Sequence, residues 1–170
     1  MLIPPLYADV VRVRNHEYPK EMEAQDTDWL LQGTHHFTVR LLVKLSVFTG
    51  AYYEEQDGTG RRLAFTYTRD LKAKDLVEKA NEALAEQNSP EQLAAYKEPL
   101  DAIQAAYIDV KENDAYTITA IPGKGTWLHL NGEELYSNDD GEFGLWYLNI
   151  WLGDPPIDAK LKKALMGGTR

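Results

Sequence analysis

The side chains able to do nucleophilic or metal chemistry are few here, and they are poorly spaced for it. There is no cysteine, which removes disulfides, thiolate zinc sites, iron–sulfur clusters and thiol nucleophiles together. The serines are Ser46, Ser89 and Ser137, and none sits in a Gly-x-Ser-x-Gly turn of the kind that exposes a hydrolase nucleophile. The four histidines are His16, His35, His36 and His129. Neighbours on a strand point to opposite faces, so His35 and His36 are not a chelating pair. No His-Glu-x-x-His or His-x-His exists either, and neither a metal nor another cofactor is expected. Gly123-Lys124-Gly125 lacks the spacing of a phosphate-binding loop and reads as a turn. Asp139-Asp140, next to Gly141, lacks the remaining ligands of a cation loop and reads as a helix cap. Arg40 stands apart from all of these. It lies within an apolar strand pattern, where a guanidinium must stay wet, pair with an acid, or meet a ligand.

The chain that must position these residues has 170 residues and a mass of 19.3 kDa, which fits one domain spanning residues 1–170. Acidic residues outnumber basic ones, 27 to 18, for a formal charge of -9. Such a surface repels phosphate backbones and argues against nucleic acid as a partner. No apolar run approaches the roughly 18 residues of a membrane-spanning helix. The opening Met1-Leu2-Ile3-Pro4-Pro5-Leu6-Tyr7-Ala8 has no basic stretch and no full apolar core. It fits the stub of a removed signal peptide as well as an ordinary irregular start, and the expectation leans towards an exported, periplasmic protein.

Two periodicities organise the rest. Val10-Val11-Arg12-Val13 reads as a strand, and residues 17–28, polar and charged, as a connection with a helical turn at 20–24. From residue 34 to 53 apolar and polar side chains alternate, with Val39, Leu41, Val43, Leu45 and Val47 on one face, the signature of one long strand with a buried side. Arg40 belongs to the other, polar set; it reaches a cleft if helices cover that face or a bulge flips the register. A turn at 54–60 leads to the strand 63–68. The middle is helical: a first helix around Leu76–Leu84, then a second announced by Ser89-Pro90-Glu91-Gln92 as cap, first-turn proline and capping box, with Pro99 expected to kink or split it. Residues 116–121, 126–130 and 133–136 form a meander, its second turn at Asn131-Gly132. Phe143, Trp146, Tyr147, Ile150 and Trp151 then share one helix stripe, and a last helix runs from Asp158 to about Met166. This is an α+β chain: an antiparallel sheet of about six strands packed against a layer of helices.

Several of these segments resemble the chalcone isomerase-like family, particularly its bacterial members. The first runs from Val39-Arg40 through Val47-Phe48-Thr49-Gly50-Ala51-Tyr52-Tyr53 to Phe65-Thr66-Tyr67-Thr68-Arg69-Asp70-Leu71. The second comprises Ile121-Pro122-Gly123-Lys124-Gly125-Thr126, Leu130-Asn131-Gly132-Glu133, Ile150-Trp151-Leu152-Gly153-Asp154-Pro155-Pro156 and Leu161-Lys162-Lys163-Ala164-Leu165. The resemblance covers about residues 33–168, leaving 1–32 as an N-terminal strand and connection. It implies an open-faced sandwich with a cleft between sheet and helices. Plant members close chalcones to flavanones there, and others bind fatty acids. Both uses place an arginine in the cleft, where it steadies a developing enolate or pairs with a carboxylate; Arg40 is the matching position and the catalytic residue if the chain is an enzyme. The plant enzymes' threonine falls on Val43, which cannot donate a hydrogen bond. The leading expectation is therefore a non-catalytic protein binding a small apolar ligand with an acidic or carbonyl head. Arg40, Tyr67, Phe48, Trp146 and Tyr147 are its expected ligand-binding residues. The alternatives are a chalcone isomerase-type enzyme, or a structural or partner-binding protein with a filled pocket.

Overall fold

A computed structural model describes residues 9–168; the opening segment read as a signal-peptide stub lies outside the described residues. Seven strands form one antiparallel sheet whose spatial order is the chain order: β3 (Glu21–Ala24), β4 (Thr27–Arg40), β5 (Lys44–Glu55), β6 (Arg61–Tyr67), β7 (Ala115–Ile121), β8 (Gly125–Leu130) and β9 (Glu133–Asn138). A separate hairpin, β1 (Val10–Val13) with β2 (His16–Pro19), precedes them. Between β6 and β7 the chain leaves the sheet for α1 (Ala73–Gln87), α2 (Pro90–Ala95) and α3 (Lys97–Ala106); α4 (Gly141–Leu152) and α5 (Ala159–Leu165) close it. The α+β sandwich expected from the pattern is what forms, with one strand more than counted.

Two readings of the N-terminal third need correction. Residues 17–28 hold no helical turn. Met22 and Ala24 point inward between exposed Glu21 and Glu23, a period of two that the charges obscure. Gln25 and Asp26, both at positive φ (51° and 57°), turn the chain directly into β4. Nor is 34–53 one strand. The alternation runs through a reversal at Leu41-Leu42-Val43, closed by the Leu41 N–H donating to the Val43 carbonyl at 3.1 Å. Three apolar residues carry no turn composition, so nothing in residue type marks the break.

Elsewhere local chemistry fixes the boundaries as expected. The Ser89 side chain accepts from the Gln92 N–H, and the Ser89 N–H donates to the Gln92 side chain. The helix breaks at Tyr96, so Pro99 falls in the first turn of α3, where its missing N–H costs nothing. Asp140 and Asp158 cap α4 and α5 through the N–H groups of Phe143 and Leu161. Asn131 and Gly132 both adopt positive φ in the β8–β9 turn.

The helices cover one face of the sheet. There Leu63, Phe65 and Tyr67 of β6 and Tyr116 and Ile118 of β7 meet Leu84 of α1, Ile103 of α3, and Phe143, Tyr147 and Ile150 of α4. Two glycines permit close approach. A Cβ on Gly144 of α4 would lie 2.6 Å from that of Ala120, and one on Gly33 of β4 would lie 2.1 Å from the Ala164 carbonyl oxygen of α5. The other face carries a smaller core of Tyr18, Trp29, Ala51, Tyr53 and Ile121, built with β1, β2 and β3.

Candidate functional site

Between sheet and helices lies an apolar cavity of about 420 Å³, within the range of small-molecule sites. Strand parity decides which side chains reach it. Paired residues of an antiparallel ladder share a face. Phe37 pairs with Phe48 and Val39 with Leu45, whereas Thr38 pairs with Ser46 and Arg40 with Lys44 on the opposite face. The register slips by one residue opposite the Phe37–Thr38 step, leaving Val47 as the extra residue of a bulge, and Val47 and Phe48 both line the cavity. Phe65 and Tyr67 of β6, Tyr116 and Ile118 of β7, Leu76, Val77 and Ala80 of α1, Tyr147 and Trp151 of α4, and Leu161 of α5 line it too, with Leu71 and Tyr107 from the connections. Phe37 and Phe48 stack at 4.8 Å, with Phe65 edge-on to Phe48 at 4.9 Å. The exposed lining residues Asp75, Lys79 and Ile157 mark the rim; the Lys79 ammonium is paired with Glu82 at 3.1 Å.

The polar chemistry of the inner end is phenolic. The Tyr107 and Tyr147 hydroxyls lie 3.1 Å apart. The Tyr116 hydroxyl donates to the Ile108 carbonyl at 2.7 Å and accepts from the Ile108 N–H at 2.9 Å. The Tyr67 hydroxyl has no hydrogen-bond partner among the described residues, although its side chain is buried and lines the cavity. Burial pushes Tyr147 up to about 12 and holds Tyr67 and Tyr107 well above the ordinary phenol value. At neutral pH these groups are uncharged O–H donors and acceptors. Among the described residues no cluster of His, Asp or Glu is arranged to hold a metal ion.

Of the five expected ligand-binding residues, the fold brings Phe48, Tyr67 and Tyr147 to the cavity wall. Arg40 is not there. It is exposed at the end of β4 on the face away from the helices, and the bulge, which lies in β5, leaves its parity unchanged. Trp146 is not there either. Its indole N–H donates to Asn88 at 2.9 Å and its ring stacks on Tyr96 at 4.6 Å, one helix face away from Tyr147. Val43, the position matched to the plant enzymes' threonine, is exposed in the β4–β5 turn, so its missing hydroxyl bears on the turn and not on the cavity. Tyr107 and Tyr116 were missed. Tyr116 opens a period-two strand with Ile118 inward, a signal that was available; Tyr107 follows the last turn of α3, and only the packing of helix on sheet brings it in.

No curated protein matches the sequence. The crystal structure of a fatty-acid binding protein from Arabidopsis thaliana superposes with a TM-score of 0.72, covering 94% of this chain and 96% of that one at 11% identity, a likeness of fold. The family model described as chalcone isomerase-like matches residues 10–167, so the β1–β2 hairpin is part of the matched unit as well as the core. The chain belongs to the chalcone isomerase-like family.

Proposed function

We propose that this chain binds, without transforming it, a small and mostly apolar ligand whose uncharged carbonyl-type oxygen sits against Tyr67 and Tyr147. The observation that carries this reading is the Tyr67 hydroxyl, which has no hydrogen-bond partner among the described residues and belongs to a side chain lining an apolar cavity. A hydroxyl that faces an apolar cavity with no protein partner gains a hydrogen bond worth about 0.5–1.5 kcal/mol from a ligand oxygen. The inner end offers no cation, so a carboxylate seated there would be an uncompensated buried charge. A fatty acid therefore lies with its chain among Phe37, Phe48, Phe65 and Trp151 and its carboxylate at the rim beside Lys79. The relative from Arabidopsis thaliana, named as a fatty-acid binding protein, supports an amphiphile of this kind. Catalysis is disfavoured because the inner groups are phenols held protonated by burial, leaving neither a base nor a cation for developing charge.

Titration calorimetry with a matched ketone, fatty acid and alkane tests the reading, alongside mass spectrometry of ligand retained on native purification. Tyr67→Phe is expected to weaken the ketone by about three- to tenfold, the worth of one neutral hydrogen bond, and to leave the alkane unchanged. Arg40→Ala changes neither. Absence of binding throughout, or stereoselective flavanone formation from a chalcone well above the spontaneous rate, overturns the proposal.

A further inference from the structure

The turn that breaks the alternation between β4 and β5 has no structural explanation for its composition. Leu41 and Val43 are 72% and 63% exposed and Leu42 is wholly exposed, the three most exposed large apolar side chains among the described residues. Placing three such residues at a hairpin tip gains nothing for the fold and invites association.

The charge around the tip is opposite to that of the chain. The formal charge is -9, yet no acidic residue occurs between Asp28 and Glu54. Arg40 and Lys44 pair across the ladder immediately below the tip, both exposed. Arg14, in the β1–β2 turn, adds a third exposed cation on that side: burial first, then the positive charges of Arg14, His35, Lys44 and His16, hold His36 below its ordinary value. The apolar tip is therefore collared by cations on a molecule that is otherwise acidic. It is also continuous with the cavity, since Val39, one residue before Arg40, lines the wall with Val47 from the returning strand.

We infer that the β4–β5 tip docks on an anionic lipid bilayer, Leu41, Leu42 and Val43 entering the acyl boundary while Arg40, Lys44 and Arg14 meet lipid phosphates. An apolar apex with a basic collar is the composition that interfacial segments use, and no helix of the described residues is long and apolar enough to span. A second copy of the chain fits less well, because tip-to-tip pairing would set Arg40 and Lys44 against themselves. The role rests in part on the ligand-binding reading, since a docked tip places the cavity next to a store of apolar ligand; the docking itself needs no ligand.

Flotation with phosphatidylcholine vesicles, with and without phosphatidylglycerol, tests it on the full chain. Parent protein is expected to float with the anionic vesicles and to be released as salt is raised. Leu42→Asp, and separately Leu41→Ser/Leu42→Ser/Val43→Ser, should weaken that partition by about tenfold or more, and Arg40→Glu/Lys44→Glu should abolish the preference for anionic lipid. All three should keep the parent's melting temperature and its ketone affinity in solution. Equal flotation of parent and Leu42→Asp, no flotation of the parent, or a concentration-dependent dimer lost in Leu42→Asp would each overturn the inference. Ketone titration separates these failures from failure of the binding reading.

Discussion

Tyr18 and Tyr67 are both buried against the same sheet, on opposite faces, and their hydroxyls have different fates. On the face away from the helices the Tyr18 hydroxyl meets the Thr49 hydroxyl at 2.7 Å, the Thr49 carbonyl at 3.0 Å and the Thr66 hydroxyl at 2.9 Å. His16 adds its Nδ1 to the Thr49 hydroxyl at 2.6 Å. The next residue along β6 from Thr66 is Tyr67, and its hydroxyl meets only the cavity. One face spends its phenol on holding the β1–β2 hairpin to the sheet; the other leaves a phenol free at the end of an apolar space. Among the described residues the fully buried side-chain atoms without a partner are Gln87 Oε1 and His129 Nδ1; what sets Tyr67 apart is that its side chain lines the cavity, and residue type alone does not separate it from Tyr18.

The widest separation between the faces should come from Trp29→Ala. This residue is fully buried in the smaller core, with its indole N–H donating to the Ala24 carbonyl. Its truncation is expected to cost about 3–5 kcal/mol in chemical denaturation, while the folded fraction keeps the parent's ketone affinity. Parallel loss of both would mean that the two cores are one unit.

A next effect, about 2–3 kcal/mol, concerns alkaline pH. Burial raises Tyr147 from 10.0 to about 12, so the folded state keeps a proton that the unfolded chain releases. The stability from burying this neutral phenol is whole below pH 10 and is lost as pH rises from 10 towards 12. Tyr147→Phe should make that limb of the stability-against-pH curve shallower by the share of one proton, Tyr67 and Tyr107 keeping the rest; an unchanged slope would show that Tyr147 is wetter than its packing indicates.

Tyr18→Phe should cost about 1–3 kcal/mol, because it strips a partner from Thr49 and Thr66, and should leave ligand affinity alone. Tyr67→Phe is the mirror experiment. With no partner to lose, stability should move by less than about 0.5 kcal/mol, and only ligand affinity should respond. If the two variants destabilise equally, the Tyr67 hydroxyl is satisfied within the fold and the contrast fails.

How far these features could be read in advance depends on whether their cause is local. The capping box at Ser89 and the turn at Asn131-Gly132 are local, and each forms where its residues indicate; α4 also forms, but its buried side takes in Leu148 and Leu152 while Trp146 and Trp151 are only half-buried. Phe48, Tyr67 and Tyr147 are named with the family resemblance; by period Phe48 falls on the Arg40 face, and only the bulge at Val47 turns it to the cavity. The strands of 16–24 were hidden because charged residues mask a short alternation. The Leu41–Val43 reversal was hidden because apolar residues make an unmarked turn. That second miss moved Arg40: on one unbroken strand it looked like a cation inside an apolar wall, whereas at the end of a hairpin it is a cation beside a tip. The tyrosine cluster joins α3, α4, β6 and β7, and its assembly rests on packing between elements distant in the chain.

The bare backbone of Gly33 has a bearing on how the protein is made. Every ladder of the seven-stranded sheet joins consecutive strands, so hairpins can pair as they emerge from the ribosome, and only the β6–β7 ladder closes across a long connection, the one that carries α1, α2 and α3. A further long-range contact is made by α5, whose last turn rests on Gly33 and whose Leu161, with Ile157 just before it, closes the cavity. That wall is the last of the described elements in chain order. Without α5 the cavity would lack the Leu161 side of its wall and open its aromatic side chains to solvent, a form more exposed to aggregation. Any side chain at position 33 would prop the cavity open, because the carbonyl of Ala164 occupies the place where its first carbon would go.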